Sequence, residues 1–117
     1  MGLIRDKRKI WKGHYSAVIP YLRRALGRYA IHYDAIKIGL TWNPDQRWDK
    51  HKRDGWEDMV VIYRTQSEAN AVDLEKELID QSWSKPYFAR SENLVGGGGG
   101  SRSGHDWYYV YILGKWN

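Results

Sequence analysis

Residues 36–48, IKIGLTWNPDQRW, decide how the chain is read. In Ile36-Lys37-Ile38-Gly39-Leu40-Thr41 the apolar and polar positions alternate strictly. Ile36, Ile38 and Leu40 therefore share one face and Lys37, Gly39 and Thr41 the other, which is the pattern of a half-buried strand. Asn43-Pro44-Asp45-Gln46 follows and predicts a helix start. Asn43 is the cap, Pro44 takes the first helical position, where its missing N–H costs nothing, and Gln46 can reach back to close a capping box. The helix runs to about Asp54, and Gly55 stops it.

Working outward, DMVVIYR at 58–64 predicts a second strand. Thr65, with Glu68 three residues on, caps a helix that runs to about Ser82. Residues 83–95 carry no periodic pattern, and Gly96–Gly100 with the Ser-Arg-Ser-Gly after it reads as a flexible, linker-like loop. Residues 107–113, WYYVYIL, are the strongest strand signal in the chain. Toward the N-terminus, Ala17, Val18, Tyr21, Leu22, Ala25 and Leu26 follow helical spacing over 15–30. Pro20 suits a first turn, so the helix proper is expected to begin near Ile19. The basic run at 5–12 is an arm or a helix start. The order is α, β, α, β, α, loop, β, without internal repeats.

The chain has 117 residues, enough for one compact domain with a modest core. It has no cysteine, which excludes disulfides, thiol nucleophiles and thiolate zinc sites and fits a cytoplasmic protein. No apolar run is long enough to span a bilayer, and MGLIRDKRKIWKG lacks the apolar stretch of a secretory signal. Charge is unevenly spread: residues 1–53 hold 13 basic and 4 acidic residues, residues 54–117 hold 6 basic and 10 acidic. A basic half, in a chain where 15% of residues are aromatic and nearly all of these Trp or Tyr, suits a polyanionic partner such as nucleic acid. The plainer reading is a small core filled with Trp and a surface made soluble by Lys and Arg.

Four features carry chemistry. On the helix at 66–82, Ala71, Val72, Leu74, Leu78 and Ile79 define an apolar stripe, and Glu75 falls inside it while Asp73 and Glu77 lie outside. A carboxylate on a core-facing stripe must be compensated by an arginine, by hydrogen bonds or by a metal ion. Arg47 and His51 stand four apart on one helix face, and Arg47 opposes the helix dipole from the first turn. Lys37 shares a strand face with Gly39, and glycine in a strand signals a close approach, which would suit a phosphate. Finally, Trp107, Tyr109, Tyr111 and Leu113 share a face of the last strand. Each has a plain structural reading: an Arg–Glu pair, a surface histidine, a solvated strand face and a core stripe. An anion-stabilising arginine, a lysine, a tyrosine and a buried carboxylate together are the parts of metal-assisted phosphodiester hydrolysis.

The combination resembles the GIY-YIG nuclease family over roughly residues 36–100. Lys37-Ile38-Gly39-Leu40-Thr41 is similar to the YIG strand, and Arg47-Trp48-Asp49-Lys50-His51 to the helix with the catalytic arginine. Glu75 followed by Leu78-Ile79 is similar to the metal-binding helix, and Asn93 before the glycines to the end of the domain. Two departures stand out. The YIG tyrosine is Lys37 here, and no GIY strand precedes it at the usual distance. Gly27-Arg28-Tyr29 is one candidate for that strand; Tyr109-Val110-Tyr111-Ile112-Leu113, at the far end of the chain, is the better one. The resemblance then implies a circular permutation, in which the C-terminus supplies the first core strand.

What the resemblance implies is as follows. The fold is α+β, a small, mostly antiparallel three-stranded sheet flanked by helices. Residues 1–35 are a basic N-terminal helical segment and residues 36–117 the nuclease-like domain. The activity is DNA endonuclease, with Tyr111, Lys37, Arg47, His51 and Glu75 catalytic, Lys37 lowering the pKa of Tyr111, and Glu75 holding Mg²⁺ or Mn²⁺ with waters. Arg47, Lys50, Arg53 and Asn93 contact DNA, mostly through its phosphate backbone. No membrane is involved, a dimer is compatible, and a phage- or mobile-element-borne nuclease is the nearest analogy. The alternative is a non-catalytic nucleic-acid-binding module of the same fold.

Overall fold

Alternation along the strands sorts the chain into two layers. The computed structural model describes residues 2–4, 10–84, 90–93 and 106–117. Its strands are β1 (Gly2–Ile4), β2 (Ala35–Thr41), β3 (Asp58–Thr65), β4 (Arg90–Ser91) and β5 (Tyr108–Lys115); its helices are α1 (Tyr15–His32), α2 (Pro44–Arg53) and α3 (Glu68–Ser84). The sheet order is β1-β3-β5-β2-β4, so the last strand of the chain lies at the centre. β5 runs antiparallel to both β2 and β3, while β1 is parallel to β3 and β4 parallel to β2. The class is α+β, as expected. The expected three-stranded sheet is a correction: five strands form a mixed sheet. The two extra strands have three and two residues, too short to show an alternation of their own.

One face carries Ile36, Ile38, Leu40, Val60, Ile62, Tyr108, Val110 and Ile112. It packs against Val18, Leu22, Leu26 and Ala30 of α1 and Ala71, Leu74, Leu78 and Ile79 of α3. The other face carries Ala35, Met59, Val61, Tyr111 and Leu113, covered by Trp48 of α2, Trp56 and Ile10. Each fully buried large aliphatic side chain contributes about 1.5–3 kcal/mol relative to exposure. The N-terminal part of the chain joins both layers: α1 lies in the first, and Ile10 in the second. Within the basic run, Trp11 bonds the backbone of Ile62 and Arg64 beside β3 and stacks on Tyr21 at 4.6 Å. Residues 5–9, the irregular stretch beyond Ser84 except for residues 90–93, and Gly96–Gly100 lie outside the described residues.

Three local expectations change. The first helix begins at Tyr15, not near Ile19, and Pro20 sits inside it. The carbonyl that Pro20 leaves without a helical donor belongs to Ser16, which is exposed to water, so the interruption is cheap. The cap of α3 is Ser67, whose hydroxyl accepts from the Asn70 N–H at 3.2 Å; Thr65 instead ends β3 and accepts from the Ser67 N–H. At α2 the Asn43 cap holds, its side chain accepting from the Gln46 N–H at 3.1 Å, but the N–H of Asn43 donates to Thr41 Oγ1 at 3.0 Å. The strand's own last residue takes the part expected of Gln46. Among the described residues, no helix is long and apolar enough to cross a membrane.

Candidate active site

The β2–β5 register sets Gly39 directly opposite Tyr111. A Cβ on Gly39 would lie less than 3 Å from Tyr111 Cζ and Oη. Gly39 was expected to admit a phosphate; what approaches its backbone is the tyrosine ring. The missing side chain lets the ring lie flat across β2, which fixes where the hydroxyl is held.

That hydroxyl meets His51 of α2, with Nε2···Oη 2.8 Å. Both groups are buried, at 5% exposure for His51 and 3% for Tyr111. The Asn43 cap and Pro44 set the start of α2, and Arg47 and His51 project from the same side of it one turn apart. Burial pushes the His51 pKa down to about 4, and the positive charges of Lys37, Arg47 and Lys50 add to the shift. The imidazole is therefore neutral at pH 7 and able to accept a proton. The Tyr111 hydroxyl is pushed up, chiefly by burial; Glu75 raises it further and Arg47 opposes the rise. Here Lys37 departs from expectation. Its charge acts on His51, and the cation that lowers Tyr111 is Arg47, without reversing the effect of burial.

Glu75 is buried at 5% exposure on the stripe it shares with Ala71, Leu74, Leu78 and Ile79, and its charge reaches Tyr111. Tyr111, His51, Lys37, Arg47, Lys50 and Glu75 thus form one electrostatic neighbourhood. Tyr29, the other candidate tyrosine, lies in α1 and packs against the core on the opposite face of the sheet. Asn93 holds β2 in place: its Oδ1 accepts from the Ile38 N–H at 2.9 Å and its Nδ2 donates to the Ile38 carbonyl at 2.8 Å. Its amide continues the β4 pairing with a side chain, with Oδ1 and Nδ2 each bonding the Ile38 backbone.

A cleft of about 370 Å³ opens at the start of α2, lined by Thr41, Trp42, Gln46, Arg47, Lys50 and Arg53. Three of the six are cations and none is an acid. Among the described residues no ion pair engages Arg47, Lys50 or Arg53, so the cleft suits an anion. Thr41, Trp42 and Gln46 were not singled out from the sequence; only the turn between β2 and α2 brings them to the mouth. Among the described residues, no group of three or more His, Asp or Glu side chains could enclose a metal ion. A hard divalent cation that keeps most of its waters needs only one or two carboxylates, and Glu75 is a buried carboxylate whose charge reaches Tyr111.

The depressed His51 pKa has a stability consequence. The unfolded chain binds a proton on this histidine near pH 6.5 and the folded chain only near 4. The contribution is thus fully present above pH 6.5 and lost as pH falls toward 4, by up to about 3 kcal/mol. Urea midpoints measured across this range should fall for the wild type and fall less for His51→Gln. Equal slopes would show that His51 carries no such shift. No protein-family model, curated protein or solved structure matches the chain.

Proposed function

We propose that the protein is a metal-dependent DNA endonuclease of the GIY-YIG kind, permuted so that β5 serves as the GIY strand. The observation that carries this reading is the buried Tyr111–His51 hydrogen bond, with the charges of Arg47 and Glu75 both acting on Tyr111. A neutral histidine beside a protonated tyrosine can relay one proton. The attacking water gives its proton to Tyr111 Oη as the tyrosine's own proton passes to His51 Nε2, and the resulting hydroxide forms the new P–O bond as the P–O bond to the leaving sugar oxygen breaks and that oxygen takes its proton from solvent water. Arg47 contacts the phosphodiester and stabilises its growing charge. Lys37, Lys50 and Arg53 hold the strand. The phosphodiester also cancels part of the positive field that depresses His51, so substrate raises the basicity of the group that must take the proton. Glu75 would hold the divalent cation, which as a Lewis acid favours departure of the leaving oxygen.

Nicking of supercoiled plasmid with Mg²⁺ tests the reading. Cleavage is expected for the wild type and a loss of at least 100-fold in both Glu75→Gln and Arg47→Ala. Plasmid binding without cleavage in any divalent metal would instead favour the non-catalytic module. Lys37 in place of the YIG tyrosine is the feature that keeps that reading open. Neither binding nor cleavage would overturn both.

A further inference from the structure

The strand β3 does not keep its register along β5. Val61 pairs with Tyr111, but Tyr63 pairs with Val110, so Ile62 is an extra residue in a bulge. Strict alternation from Val61 would turn Arg64 toward α1 and α3. The bulge reverses the phase: Arg64 now pairs with Tyr109, two residues from Tyr111 on the same face of β5. Tyr109 pairs in turn with Thr41 of β2, and Thr41 lines the cationic cleft. Thr41, Tyr109 and Arg64 therefore form one cross-strand row leading from the cleft across the sheet. At two strand spacings the row spans about 10 Å, roughly three steps of a nucleic-acid strand. The half-buried guanidinium of Arg64 stacks over the Trp107 ring at 4.9 Å, and among the described residues no carboxylate pairs with it. A guanidinium held over an aromatic face keeps its N–H fork able to donate.

We infer that Arg64, turned onto the site's face by the bulge and braced by Trp107, is a substrate-binding residue that takes a DNA phosphate a few nucleotides from the one in the cleft. The inference rests on the nuclease reading and extends its footprint: Arg47, Lys50 and Arg53 hold the backbone at the cleft, and Arg64 holds it at the far end of the row. Arg64 binds without touching the reacting phosphate.

The test is binding of a 20-base-pair DNA duplex, in EDTA to prevent cleavage, at a series of salt concentrations. Wild type, Arg64→Gln, Arg64→Lys and Lys115→Gln are compared, with thermal melts to show that each is folded. Lys115 is the control: it lies at the other end of β5, over Trp56 and beside Glu92. Losing a phosphate contact should lower the slope of log K against log salt by about 0.9 in Arg64→Gln. Arg64→Lys should keep the slope and lose part of the affinity, and Lys115→Gln should match the wild type. In plasmid cleavage, Arg64→Gln should raise KM at least fivefold and leave kcat within twofold. An unchanged slope in Arg64→Gln, or an equal drop in Lys115→Gln, overturns the assignment while a DNA-binding wild type preserves the nuclease reading. A wild type that does not bind the duplex overturns both.

Discussion

Replacing Tyr111 with Phe is expected to slow plasmid cleavage by about 10²–10⁴-fold while leaving a folded protein. The ring remains across Gly39 and in the buried cluster with Trp48, Val61 and Leu113, so packing changes little. What goes is one oxygen, and with it the 2.8 Å bond to His51. His51 Nε2 is then left buried without that partner, at a stability cost of about 1–3 kcal/mol. Single-turnover cleavage at saturating DNA separates the chemical step from binding. Tyr29→Phe, on the opposite side of the sheet, should cleave like the wild type. A Tyr111→Phe enzyme within threefold of the wild type would remove the tyrosine from the mechanism.

Gly39→Ala should be a strongly damaging single methyl. Its Cβ would enter the space of the Tyr111 ring, and because that ring is buried in a cluster with Trp48, Val61 and Leu113, it can shift only by displacing them. Overpacking of this kind costs about 1–3 kcal/mol or more, and here it also shifts the hydroxyl that the reaction uses. Urea denaturation should show a loss of about 3 kcal/mol, and cleavage should fall at least as far as in Tyr111→Phe. A double-mutant cycle gives the decisive measurement. Tyr111→Ala removes the ring, so adding Gly39→Ala to it should cost less than about 1 kcal/mol. If the two losses simply add, the clash is not what makes glycine necessary at this position.

Much of this was legible in the chain. The alternation of residues 36–41 and 108–113, the Asn43-Pro44 start of α2 and the apolar stripe of α3 are local patterns, and physical periodicity alone reads them. Glu75 was legible for the same reason, since a carboxylate inside an apolar stripe is visible from spacing. The pairing of Arg47 with His51 on one face follows from helical geometry.

Other features are non-local and had no signal. Two short edge strands borrow their order from β3 and β2. The purpose of Gly39 was misread because its neighbour, Tyr111, lies 72 residues away in the chain and meets it only through strand register. The charge expected to act on Tyr111 came from Arg47 and not from Lys37, because electrostatic effects follow distance and burial rather than order in the sequence. The bulge at Ile62 leaves DMVVIYR looking like an ordinary strand, yet it decides which way Arg64 faces. The amino-acid sequence by itself therefore determined the three helices, the three long strands, the Asn43 cap of α2 and the buried faces, all of which depend on neighbours within a turn or two. Only the tertiary structure decided which side chains meet, because a one-residue slip in register sends every later side chain to the other side of the sheet.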